Sequence, residues 1–149
     1  MRIPAAHVDV GVPRDHFFAY ITDTAKVKQW QPDVIESRAL TDGGFQPGAR
    51  WRVTVNEPRR GRFDLETWVI AVTPNERVVY GMDEPSASAE IEYRLADIPT
   101  GTRVESEANF RLKGIMKILT PLVRGMVTRK FESRLKLLRA AAEADFVSH

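Results

Sequence analysis

The sequence predicts an α+β domain in which a curved antiparallel sheet holds one long C-terminal helix over an apolar cavity. Three observations predict it. Short helical stretches rich in aromatic residues, Val12 to Asp23 and the run ending Trp30-Gln31-Pro32-Asp33, follow an opening strand. From residue 34 to residue 112 the apolar residues recur at every second position between short turns. From Ile115 the apolar spacing lengthens to three and four and is sustained to Ala142.

Each element follows from local residue chemistry. Ala6–Val10 reads as a short edge strand. Pro13 suits the first turn of a helix, where a missing N–H costs nothing, and Phe17, Phe18, Tyr20 and Ile21 give that helix a broad apolar face. Ala25–Trp30 fits a second short helix, with Trp30 placed to plug the opening between helices and sheet. Strands are expected at Val34–Leu40, Arg50–Glu57, Arg62–Val72, Arg77–Asp83, Ala87–Asp97 and Gly101–Leu112. The turns between them carry Thr41-Asp42-Gly43-Gly44, Pro58-Arg59-Arg60-Gly61 and Thr73-Pro74-Asn75-Glu76. Repeated half-buried strands of this kind make a single meander, apolar on one face. The strand at 62–72 carries apolar residues on both phases, Phe63 and Leu65 against Trp68 and Ile70, as a bulge would require. In the last segment Pro121 cannot sit inside a continuous helix. A short turn at Gly114–Leu119 is expected instead, then Thr120 as N-cap with Pro121 at the first helical position. Gly125 marks a thin spot in that helix or a close approach of the sheet.

Composition narrows the function. At 149 residues, 43% hydrophobic and 28% charged, the chain reads as a single domain, 1–149, with a real core. Cysteine is absent, which excludes disulfides, thiolate metal sites and cysteine nucleophiles. No secretory leader and no membrane-length apolar run is visible, so a cytoplasmic location is the expectation. The three histidines, His7, His16 and His149, have no metal-ligand spacing; His149 is terminal and His7 shares a solvent phase with Asp9. The net charge of +2 is unevenly spread: residues 111–139 hold nine of the 22 Lys and Arg but only Glu132 among the 20 acids. A basic helix of this kind can contact an anionic membrane through Arg124, Arg129, Lys130 and Arg134, or can simply be a solvated face.

The order strand, two small helices, six strands, long helix resembles the helix-grip fold of the START-like, or SRPBCC, superfamily. The sequence is most similar to its polyketide cyclase/dehydrase and lipid-transport family. The residues that carry the resemblance are Val12-Pro13 with Phe17 to Asp23, Trp30-Gln31-Pro32-Asp33, Gly48-Ala49-Arg50-Trp51, Gly101-Thr102-Arg103-Val104, Leu112-Lys113-Gly114 and Phe131 to Leu138. They span nearly the whole chain. The resemblance implies a sheet of about seven strands around the helix, with a hydrophobic cavity between them that opens near the small helices. It is specific for fold rather than activity, because such families contain carriers, receptors and cyclases.

Strand phase names the candidate ligand-binding wall: Trp51, Val53 and Val55; Phe63, Leu65, Thr67 and Val69; Tyr80 and Met82; Ile91 and Tyr93; Ser106, Ala108 and Phe110. Trp30 joins from the second helix, and Leu119, Leu122, Val123 and Met126 from the long one. Small residues at Ala89, Ser106 and Ala108 are consistent with a void, or with tight admission of the helix. Thr67, Tyr80, Tyr93 and Ser106 can orient a ligand or find backbone partners. Asp64, Glu66, Glu90 and Glu92 share a phase with Arg62 and Arg94, which points to cross-strand ion pairs rather than acid–base chemistry. His16 is a conceivable base on the first helix, though a lone helix histidine is more often a packing residue. Arg59, Arg60 and Arg62 form a basic hairpin tip. No phosphate loop, Ser/His/acid set, metal cluster or cofactor motif is present in the sequence, so no catalytic residue, metal or cofactor is assigned.

Three functions remain open. The first is binding or transport of a small hydrophobic ligand such as a lipid, isoprenoid, fatty acyl or polyketide-like molecule. The second is a cyclase or dehydratase using the same cavity, with Tyr80, Tyr93 or His16 moving protons. The third is a macromolecular contact of the basic helix. Nucleic acid is disfavoured there, because Phe131 is the one aromatic in that stretch and falls on the buried stripe.

Overall fold

The apolar alternation between residues 34 and 112 becomes six strands, and a computed structural model describing residues 1–148 adds a seventh at the start. His149 lies outside the described residues. The elements are β1 (Arg2–Val10), α1 (Arg14–Ile21), a 3₁₀ turn at Thr24–Lys26, α2 (Val27–Trp30), β2 (Val34–Ala39), β3 (Arg50–Glu57), β4 (Gly61–Thr73), β5 (Arg77–Glu84), β6 (Ala87–Ile98), β7 (Gly101–Leu112), a 3₁₀ turn at Gly114–Lys117, and α3 (Thr120–Val147). All strand pairs are antiparallel and the order across the sheet is β1-β7-β6-β5-β4-β3-β2. This is the helix-grip arrangement expected from the sequence.

Differences from expectation have local causes. β1 begins four residues earlier than Ala6, because Pro4 falls where its register against β7 shifts, between Ile3 and Ala6. Proline is tolerated there on an edge strand and masks the alternation. The bulge anticipated in β4 falls between Val69 and Ala71, leaving Ile70 exposed. Thr120 is not the cap of α3. Leu119 holds that position, and the Thr120 hydroxyl donates back to the Lys117 carbonyl at 2.7 Å; Pro121 does sit in the first turn. At Gly125 a side chain would meet nothing within 4 Å, so the sheet does not approach and the glycine is a thin spot in an exposed turn.

The C-terminal half of α3 closes the main core. Phe131, Leu135, Leu138 and Ala142 join Ile3, Val10, Val104 and Ala108 of the sheet and Phe17 and Tyr20 of α1. Leu138 is fully buried, a contribution of about 1.5–3 kcal/mol. On the outer face Trp68 lies flat across Gly81 of the neighbouring strand, and no side chain would fit at that position. The same face carries ion pairs: Arg50 with Glu66 at 2.6 Å and Arg94 with Glu92, Glu105 and Glu107, which engage three of the residues anticipated for such pairing, and Arg103 with Asp9 at 2.8 Å.

Candidate functional site

The helix does not cover the sheet evenly. α3 lies along β1 and against α2, at one side of the sheet. The inner faces of β2, β3 and β4 form a separate apolar cluster around Val34, Ala49, Trp51, Val53, Val55 and Val69. Between that cluster and the N-terminal half of α3 lies a hollow of about 580 Å³.

Strand phase carries most of the named residues to its wall. Trp51, Val53 and Val55 of β3 line it, as do Phe63, Leu65, Thr67 and Val69 of β4. Tyr80 and Met82 of β5, Ile91 and Tyr93 of β6, and Phe110 of β7 complete the sheet side. Trp30, Val123 and Met126 contribute from the helices. Four named residues lie elsewhere. Ser106 and Ala108 are buried in the main core, under the packed half of α3, where small side chains admit the helix instead of leaving space. Leu119 and Leu122 face outward, while Val123 beside them turns in against Ala87 and Leu112 of the sheet. Two of the inward polar groups are satisfied by backbone: Thr67 donates to the Gly81 carbonyl at 2.9 Å and Ser106 to that of Glu92 at 3.0 Å.

The wall also holds residues that strand phase did not supply. Phe45 comes from the loop before β3, where no periodicity exists to reveal it. Val127, Phe131 and Arg134 continue the line from Val123 along α3 in steps of three and four, a spacing that does point to them. Arg134, offered by the sequence to a membrane or to solvent, lines the hollow. At the rim the hairpin between β3 and β4 meets α3. Lys130 pairs with Glu57, and Arg60 pairs with Glu57 at 3.3 Å and with Glu84. Arg60 also donates to Ser86 at 2.9 Å and lies over the Phe63 ring at 4.1 Å. Ser86 in turn donates to Glu84 at 2.7 Å, so the buried Glu84 carboxylate is satisfied on two sides.

Tyr80 and Tyr93, diagonal neighbours on β5 and β6, stack at 5.9 Å. Burial pushes the Tyr80 hydroxyl well above its ordinary pKa, assisted by Tyr93 beside it, and burial raises Tyr93 as well; the Arg134 charge opposes both shifts. Trp30 is 4% exposed, and its indole N–H has no hydrogen-bond partner among the described residues. His16 is not on the wall. It sits with Asp145, 3.5 Å from its Nε2, and edge-on to Phe146 at 4.8 Å, and Lys26 reaches the same carboxylate at 3.0 Å. Among the described residues no group of three or more His, Asp or Glu could hold a metal ion, and no helix is long and apolar enough to cross a membrane.

Comparison with known proteins adds a family and a fold. The model for "Activator of Hsp90 ATPase homolog 1-like protein" matches residues 11–137. No curated protein matches. Among solved structures, a START superfamily protein from Mycobacterium smegmatis superposes with a TM-score of 0.78 at 16% identity, over 97% of this chain and 99% of that one. A protein from Thermus thermophilus gives 0.76 at 17% identity, over 97% and 99%. A putative uncharacterized protein from Rhizobium leguminosarum gives 0.66 at 21% identity, over 97% and 99%.

Proposed function

The chain belongs to the Activator of Hsp90 ATPase homolog 1-like family, within the START-like superfamily, and on that footing we propose that it binds or carries a small hydrophobic ligand between its sheet and α3. The observation that carries this reading is the hollow of about 580 Å³ walled by Trp51, Val53, Val55, Phe63, Leu65 and Met82. Small-molecule sites span about 300–1,000 Å³ and are mostly apolar with a few polar groups, which is the composition found here. Burial of apolar ligand surface, about 25 cal/mol per Å², supplies the driving force. Lipid, isoprenoid, fatty acyl and polyketide-like molecules all meet that description.

The test is native mass spectrometry of the protein purified from its own host, followed by denaturing release. A stoichiometric apolar adduct is expected. A bare mass, with no uptake from a lipid and polyketide library, would overturn the reading.

A cyclase or dehydratase would need a proton donor and acceptor at the wall. Tyr80 and Tyr93 hold their protons too tightly to serve as ready acids, and His16 lies outside the hollow beside Asp145. These observations favour the carrier. Exchange of cargo would take place at an anionic membrane. Of the four cations named from sequence, Arg124 and Arg129 are exposed and suited to such contact, whereas Lys130 is held by Glu57 and Arg134 faces inward. Exposed Ile115, Ile118 and Leu122 stand beside them as an apolar foot.

A further inference from the structure

Resting on the carrier reading, we infer that the ligand is an amphiphilic acid: an apolar body with one anionic head, carboxylate or phosphate, seated against Arg134 beside Tyr80 and Tyr93.

The polar groups of the wall divide into those already satisfied and those waiting. Arg60 and Lys130 are neutralised by Glu57 and Glu84, and Arg59 is exposed at the hairpin tip. Thr67 is bonded to the Gly81 carbonyl. Arg134 is different. It is half-buried on the cavity side of α3, one turn beyond Lys130, and among the described residues it makes no ion pair and no hydrogen bond. The acids on the wall do not serve it: Glu57 and Glu84 are committed to Arg60 and Lys130, and Asp33 makes no ion pair with it. A guanidinium partly withdrawn from water without a counter-charge gains when an anion is supplied.

Among the described residues Asp33 is an unpaired acid on the same wall, whereas the buried Trp30 donor agrees in sign with Arg134. Arginine and tryptophan side chains have donors and no acceptor, and the Trp30 N–H is buried on this wall without a partner. Tyr80 and Tyr93 are kept neutral by burial and are hydrogen-bonded to each other, so near Arg134 they bring no negative charge. A wall with one unpaired cation and a spare indole donor favours a guest that brings acceptors and negative charge. The planar guanidinium fork fits a carboxylate or phosphate in particular. The apolar side chains of β3 and β4 leave room for the body of the molecule and offer it no second charge.

The experiment is displacement of a neutral apolar dye, Nile red, by three molecules sharing one tail: tetradecanoic acid, tetradecyl phosphate and tetradecanol. Wild type is expected to bind the acid, the phosphate or both at least about tenfold more tightly than the alcohol, and the ordering of the two anions identifies the head. Arg134→Met, which keeps an unbranched apolar stem, is expected to level the three by weakening the acid and the phosphate far more than the alcohol. Arg134→Lys is expected to retain part of the preference. Equal binding of all three by wild type, a measurement that needs no variant to fold, would overturn the inference and leave the container standing. Retained acid preference in Arg134→Met would overturn the assignment to this residue. No dye uptake and no displacement by any of the three would overturn the carrier reading, and this inference with it.

Discussion

Burial raises the hydroxyl pKa of all three tyrosines: Tyr20 to about 12, with the Asp145 charge adding to the effect, Tyr80 well above its ordinary value, and Tyr93 in the same direction. A raised folded-state pKa means that the folded chain holds the proton more tightly than the unfolded chain. Below about pH 10, where free tyrosine is protonated, this changes nothing. Above it the unfolded state ionises first, so stability is lost as pH rises toward the folded values. Ultraviolet titration is therefore expected to show no tyrosinate step near the ordinary value, with ionisation arriving together with loss of circular dichroism at higher pH. A step near the ordinary value with the fold intact would contradict the burial assigned to these residues. Gly81 makes a second argument at this scale. A β-carbon there would lie 2.3 Å from Cε2 of Trp68, and the cross-strand ring cannot move far on a pleated surface. Gly81→Ala is expected to cost about 1–3 kcal/mol in urea denaturation, as overpacking does.

α3 is two helices in function, although it is one in geometry. Its C-terminal half is core, with Leu138 fully buried, and its N-terminal half borders the hollow and solvent, with Leu122 74% exposed. Leu138→Ala is expected to cost about 2–5 kcal/mol and Leu122→Ala no more than about 0.5 kcal/mol by chemical denaturation. Gly125→Ala is expected to stabilise by about 0.4–1 kcal/mol, since the added methyl meets nothing and the unfolded chain loses freedom. This division of α3 was not legible in the sequence. A stripe at steps of three and four has the same period whether it packs on the sheet or borders a hollow. The sheet was legible because one face is solvated, so that Trp51, Val53 and Val55 alternate with Arg50, Arg52 and Thr54. For the same reason the wall residues of β3 to β6 could be named in advance. Ser106 and Ala108 could not be placed, because a small inward residue reads alike as a void or as a seat for a helix. Phe45 lies in a loop with no period, and Arg134 read as a surface charge until the helix was rotated onto the sheet.

At the scale of the molecule, charge and apolar exposure coincide at one end. From Ala108 to Phe131 the chain has no acid, while Arg111, Lys117, Arg124 and Arg129 are exposed. Within that stretch Ile115 is 72% and Ile118 79% exposed, beside Leu122. Met116, Val123 and Met126, from the same turns, belong to the wall of the hollow, so a surface that received the apolar foot would lie beside that wall. An anionic bilayer suits both properties: it attracts each cation by about 1 kcal/mol and takes the isoleucines into its acyl boundary. Wild-type protein is expected to co-sediment with vesicles containing phosphatidylglycerol, more weakly with phosphatidylcholine alone, and less as salt is raised and screens the cations. The triple variant Ile115→Asp, Ile118→Asp and Leu122→Asp removes only exposed side chains, so it should keep its fold and its dye uptake while losing the vesicles. A second copy of the chain could cover the same foot. In that case wild type would run as a dimer, the variant as a monomer, and neither would sediment with lipid, which would overturn the membrane assignment. If the membrane is the partner, both proteins run as monomers and transfer of dye from the protein to vesicles slows in the variant alone.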